Sequence, residues 1–230
     1  MDKTLSINLV VSEEAKELGA FLWVGEVEGL TIPKVSEKLD MEVLKGIEQV
    51  QQKYQLETLK DEPSIRALRD FFWKVDIDPT KKRPSSEALI RRILQKGEIP
   101  RIHPAVDAGN LASFSTHVPI GLFDRNKISS HIILRRAKEG EIFEAIGGKD
   151  FSMSGKEVVL VDQGDEHLIH QFPYRDCRRT SIQLKTSRVL IVACGVPGLQ
   201  DESVKGAGQR CARLMVSCLG GRSTNKWKRA

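Results

Sequence analysis

Between residues 33 and 97 apolar side chains recur at spacings of three and four, whereas beyond Pro104 β-type runs separated by glycine-containing turns come to dominate. Segregation of the two periodicities predicts a mixed α and β fold of the α+β class. Val35, Leu39, Val43, Leu44, Ile47 and Val50 define one face of a helix reaching Tyr54, slightly weakened at Gly46. Pro63 opens a second helix carrying Ile65, Leu68, Phe71, Phe72 and Val75, closed by Pro79. A third begins at Pro84-Ser85-Ser86-Glu87, where serine caps and glutamate complements the helix dipole, and stops at Gly97. Residues 106–117 form a short helix on which Asp107, Asn110, Ser113 and Thr116 share a face. Strands are expected at 5–11, 20–27, 128–136, 141–146, 157–162, 181–184 and 188–194, with a last helix over 201–219. No internal repeat or long linker interrupts the pattern, so residues 1–220 read as one domain and 221–230 as a flexible basic tail.

The longest apolar run is six residues, from Val189 to Cys194, against roughly 20 needed to cross a bilayer. The amino terminus lacks the pattern of a signal peptide, so no membrane partner and a cytoplasmic location are expected. Net charge is +5, and its distribution is uneven: from Ser203 onward there are seven Lys or Arg and no Asp or Glu. Such an excess suits either a polyanion-binding edge or a solubilising tail. Cys177, Cys194, Cys211 and Cys218 form no C-x-x-C pair, and His167-x-x-His170 is the one metal-like spacing. Reduced structural thiols, no metal site and no cofactor are expected. A nucleophilic Cys177 is disfavoured because the sequence shows no histidine with an Asn or Asp partner placed to serve it.

Residues 84–124 carry several short elements in order. These are Ser85-Ser86-Glu87-Ala88-Leu89 with Arg91-Arg92, then Pro100-Arg101-Ile102, Val106-Asp107-Ala108-Gly109-Asn110, Ser113, and Val118-Pro119-Ile120-Gly121 followed by Asp124. Downstream come Arg135, Gly140-Glu141, Gly155, Glu157, Asp162, Thr180, Ile182 and Thr186. This pattern, over roughly residues 60–200, resembles the tRNA-editing region of the phenylalanyl-tRNA synthetase β subunit, the domain pair called B-three and B-four, and most of all free-standing proteins built from it. The resemblance implies a three-layer β/β/α sandwich with additional N-terminal and C-terminal elements. It further implies a pocket that takes the aminoacylated 3′ end of tRNA and hydrolyses a wrong amino acid from it. No G-x-x-x-x-G-K-[ST] or G-x-G-x-x-G motif is present, so the expected activity is proofreading in trans, an aminoacyl-tRNA deacylase, rather than charging. The competing reading is a non-catalytic tRNA-, RNA- or protein-binding module on the same scaffold.

Hydrolysis of an activated ester needs a water, a group to take its proton and donors for the oxyanion. Asn110, Ser113 and His117 lie on one helical stripe that ends at Pro119. Asn110 and Ser113 suit the ribose or amino-acid head and His117 the water; equally, the first two suit local backbone caps and His117 a helix end. With Asp176, Asn110 and His117 make the catalytic set. Ser113, Asp162, Thr180 and Arg175 are substrate-binding candidates, although Asp162 opens a turn and Thr180 suits strand packing. Lys81, Lys82, Arg83, Arg91, Arg92, Arg210 and Arg213 are candidates for tRNA phosphates. Synthetase relatives carry a glycine-rich stretch with a glutamate where this chain reads Tyr174-Arg175-Asp176-Cys177, so the amino acid removed does not transfer with the resemblance.

Overall fold

The computed structural model describes residues 7–230. In chain order the elements are β1 (Asn8–Val11), α1 (Glu13–Glu17), β2 (Phe21–Glu28), α2 (Glu37–Lys53), α3 (Pro63–Lys74), α4 (Ser85–Lys96) and α5 (Pro104–Thr116). There follow β3 (Ile120–Asp124), β4 (His131–Arg136), β5 (Ile142–Phe143), β6 (Phe151–Ser152), β7 (Val158–Asp162), β8 (His167–Phe172) and β9 (Arg175–Asp176). The chain ends with β10 (Arg188–Gly195), α6 (Asp201–Leu219), β11 (Arg222–Ser223) and β12 (Lys228–Arg229).

One sheet has the order β1-β4-β7-β8-β9, with β1 parallel to β4 and the remaining pairs antiparallel. The other runs β11-β2-β10-β3 in antiparallel fashion, with β12 also on β2. Strand β10 explains the longest apolar run, because both of its faces are covered. Leu190, Val192 and Cys194 join Leu22, Val24, Phe123, Leu134 and Leu160 in the core between the sheets. Val189 and Ile191 join Val27 and the helix residues Leu39, Val43, Ile90, Ile93, Leu111, Phe114 and Met215 in a second core. The layers are therefore sheet, sheet and helices, an α+β sandwich.

The expected helices are present, and Pro63 and Pro104 each occupy a first-turn position where a missing N–H costs nothing. Several strand assignments change. Residues 120–124 form β3, an edge strand on β10, and residues 167–172 form β8, which lies between β7 and β9; neither is among the expected strands. Residues 181–184 are not a strand: Thr186 ties this segment into a turn, accepting from the Gln183 N–H at 3.0 Å and donating from its hydroxyl to Asp124 at 2.7 Å. Of 141–146 only β5 is extended in a sheet, and Leu5 and Ser6 of the first expected strand lie outside the described residues.

The carboxyl terminus is also corrected, from free tail to paired strap. Arg222 and Ser223 pair with Glu28 and Val27, and Lys228 and Arg229 pair with Val24 and Trp23. Trp227 holds it down by filling a slot left by two glycines. A Cβ on Gly25 would stand 2.7 Å from its ring, and one on Gly208 would stand 2.4 Å away. Only residues without side chains leave that room.

Candidate functional site

Helix α5 is buried along most of its length by Ala105, Ala108, Leu111, Ala112 and Phe114. Gly46 lets α2 approach it, since a Cβ there would come within 2.7 Å of Leu111 and 3.0 Å of Phe114. Asp107 fixes the start of the helix by accepting from Arg101 Nε at 2.8 Å and from the Ile102 N–H at 3.2 Å. Late in the helix, Ser115 and Thr116 do what small hydroxyl residues in helices ordinarily do, donating to the carbonyls of Leu111 and Ala112 at 2.6 and 2.7 Å. Asn110 and Ser113 do not. Ser113 is 3% exposed and its Oγ has no hydrogen-bond partner. Half-buried Asn110 makes no side-chain hydrogen bond among the described residues. Neither residue is a backbone cap, so both retain polar capacity that burial makes costly to leave unmet.

His117 ends α5 in the left-handed conformation, with φ 62°. Its ring meets Tyr54 edge-on with centroids 5.1 Å apart, and Nδ1 lies 3.7 Å from Glu62 Oε1. Burial holds the imidazole pKa below its usual value; Glu62 opposes the shift and Lys53 adds to it. His117 lines a cavity of about 530 Å³ together with Gln49, Lys53, Tyr54 and Phe114. That size suits a small ligand. Neither Asn110 nor Ser113 lines this cavity.

Asp176 belongs to a different neighbourhood. It lies on β9, where the free edge of the first sheet meets β3. Its Oδ2 accepts from the Leu122 N–H at 3.0 Å, and its Oδ1 is 2.7 Å from His170 Nδ1. His170 Nε2 in turn lies 3.6 Å from Cys194 Sγ. The Asp176 carboxylate thus stitches two sheet edges together, and the structure does not bring it to His117. Thr180 assists the stitch: its carbonyl accepts the Asp124 N–H at 2.9 Å, while its Oγ1 sits 3.1 Å from Cys177 Sγ. Arg175 stacks over the Tyr174 ring at 4.3 Å and bonds the Tyr174 hydroxyl.

Asp162 is occupied by its turn. It accepts from the N–H groups of Ser129 and Gly164 at 2.7 and 2.9 Å, and also from the Ser129 hydroxyl. Asp162→Ala should lower stability by about 1–3 kcal/mol, because it strands those donors, while turnover per folded molecule stays unchanged. Chemical denaturation and single-turnover assays read the two effects separately.

Two histidine pairings have no clear signal in the sequence. Besides His170 with Asp176 and Cys194, His167 Nε2 lies 3.5 Å from Cys177 Sγ, and its Nδ1 lies 3.8 Å from Glu144. The only signal was the ten-residue separation of His167 and Cys177, a distance that the β8–β9 hairpin closes. Cys177 nonetheless stays a thiol: burial pushes its pKa up, and the Asp176 charge adds to the shift against the hydrogen bonds from Thr180. No group of three or more His, Cys, Asp or Glu placed to hold a metal occurs among the described residues.

The candidate phosphate contacts divide. Lys81, Arg83, Arg91 and Arg92 line one groove of about 350 Å³ with Lys96 and Tyr174. Lys82 turns away to Glu157, 3.9 Å distant, and to the rings of Tyr174 and Phe151. Arg210 donates from Nε to Ser115 Oγ at 3.0 Å, and Arg213 lines a separate cavity beside Trp227. Among the described residues, no helix is long and apolar enough to cross a membrane.

The B3/4 domain profile matches residues 67–215. The phenylalanine–tRNA ligase beta subunit of Bartonella quintana (strain Toulouse) is 35% identical over 121 residues, which is 53% of this chain and 15% of the relative. The corresponding subunit of Rhodopseudomonas palustris (strain ATCC BAA-98 / CGA009) is 33% identical over 82 residues, 36% of this chain and 10% of the relative. These matches thus take in a small fraction of the relatives' length. An N-terminal fragment of the phenylalanyl-tRNA synthetase beta subunit from Pyrococcus horikoshii aligns with 94% of this chain and 50% of that chain, at a TM-score of 0.49 and 18% identity.

Proposed function

The chain belongs to the B3/4 domain family, and from that premise we propose that it acts in trans as an aminoacyl-tRNA deacylase, hydrolysing the ester of a mischarged tRNA in the cytoplasm. The observation that carries this is His117 at the end of α5, a buried imidazole that Tyr54 and Glu62 hold beside a cavity of about 530 Å³. Asn110 and Ser113 lie outside that cavity; Gln49, Lys53 and Tyr54 line it with His117 and are the polar groups placed to meet the ribose and the amino-acid head. His117 is neutral at pH 7 because burial lowers its pKa, so it can take a proton from an attacking water. Glu62, 3.7 Å from Nδ1, tempers that shift by its charge. Attack on the ester carbonyl breaks the bond to the ribose oxygen, which receives the proton as the amino acid departs. The cations of the α4 groove hold tRNA phosphates, which steers the charged end toward the domain.

A second reading, a non-catalytic RNA-binding module, is favoured by the occupied carboxylate of Asp176 and the basic α4 groove. Incubating the purified protein with a panel of mischarged tRNAs separates the two. Release of amino acid above the spontaneous rate from at least one member is expected. Salt-sensitive tRNA binding without release from any member would establish the module instead.

A further inference from the structure

A second cavity differs in character from the one at His117. About 720 Å³ lies between one face of α6, with Gln209, Arg213 and Ser217 at helical spacing, and the C-terminal strap with Arg222, Asn225 and Trp227. No Asp or Glu lines it. Arg222 is paired with Glu28 at 2.8 Å, whereas exposed Arg213 has no ion-pair partner among the described residues. The strap is held in place by pairing with β2 and by the indole wedged against Gly25 and Gly208, so the cavity wall is formed before any ligand arrives. Charge, amides, hydroxyls and an indole meet in one trough, to which Arg213 and Arg222 contribute the cations.

We propose that this trough is a second RNA contact, which takes a single-stranded segment with a phosphate on Arg213 and a base against Trp227. Apolar partners would leave Arg213 buried and unpaired, and acidic peptides would leave the indole without a planar partner. Single-stranded nucleic acid satisfies both through backbone charge and base stacking. The inference rests on RNA being the partner of this chain but not on the ester being hydrolysed. It places single-stranded RNA on α6 as well as phosphates on α4, so the protein touches its RNA at two separate surfaces.

Equilibrium binding of a fluorescein-labelled single-stranded RNA, on the order of 12 nucleotides, tests it. Arg213→Glu, an exposed change on a helix, should weaken binding at least about tenfold and flatten the dependence of log K on log salt by about 0.7 for the phosphate lost. RNA should quench tryptophan fluorescence in the parent, and much less in Trp227→Phe. Unchanged affinity and slope in Arg213→Glu, with binding lost in Arg91→Glu, would overturn the inference while leaving RNA as the partner. No binding of the oligonucleotide or of tRNA by the parent would overturn both. Displacement of the RNA by polyglutamate at equal charge concentration would show a site for anions in general, and it too would overturn the assignment. Loss of binding in Arg213→Glu alongside a silent deacylation panel would sustain this site and remove the hydrolytic role.

Discussion

Glu87→Ala is expected to destabilise the protein by roughly 3–5 kcal/mol, seen as a lower denaturation midpoint at pH 7. Glu87 is fully buried in the first turn of α4, and Arg69 reaches it from α3 with one guanidinium nitrogen 2.9 Å from Oε1 and 3.2 Å from Oε2. Arg91 and Arg83 approach the same oxygen at 3.8 and 4.0 Å. Removing the carboxylate leaves a mostly buried Arg69 without its partner and lets the groove cations repel one another. Burial raises the Glu87 pKa even against three guanidinium groups. A pKa raised on folding means that this group's contribution is greatest below its unfolded value and is lost as pH rises through the folded one. Glu87→Gln should therefore be milder than Glu87→Ala and should flatten the fall in stability from acidic toward neutral pH. Equal losses in the two variants at every pH would show that the ion pairs are not what holds α3 to α4.

Why the sequence announced the helices and not β3 follows from the residues themselves. Helices α2, α3 and α4 each bury one stripe, so their periodicity survives in the sequence. Strand β3 is preceded by Pro119 and contains Gly121, and such residues usually mark turns. It is extended because β10 pairs with one edge while Asp176 and Thr180 take the N–H groups of Leu122 and Asp124 on the other. Those partners lie more than 50 residues away, at |i−j| 54 for Asp176, and no local pattern reports them. The strap is similar: its strands are two residues each, and the signal that fixes it is a tryptophan fitting between glycines on two other elements. The α5 stripe was legible because helical spacing is local. The left-handed end at His117 and its neighbours Tyr54 and Glu62 were not, since a chain reversal at residue 117 decides where that ring points.

The largest effect expected on activity comes from His117→Ala, a loss of about 10²–10⁴ in turnover on a responsive mischarged tRNA, the usual contribution of a positioned general base. Tyr54 and Glu62 already hold the ring at the cavity, so removing it abolishes the proton acceptor without removing the wall formed by α2. The pH profile gives the sharper readout. With the folded pKa below 6.5, the acid limb of kcat should fall below pH 6.5 and vanish in His117→Ala. Since Glu62 is the group that raises this pKa, Glu62→Gln should move the limb to still lower pH, an outcome that a merely structural glutamate would not produce. Linkage adds an independent check: a histidine whose pKa drops on folding loses its stabilising contribution as pH falls from its unfolded value through the folded one, and His117→Gln should remove that slope. Asp176→Ala, by contrast, should act on stability, because it unties Leu122 and His170. Full turnover in His117→Ala with turnover lost in a folded Asp176→Asn would move the chemistry from the α5 cavity to the junction of the two sheets.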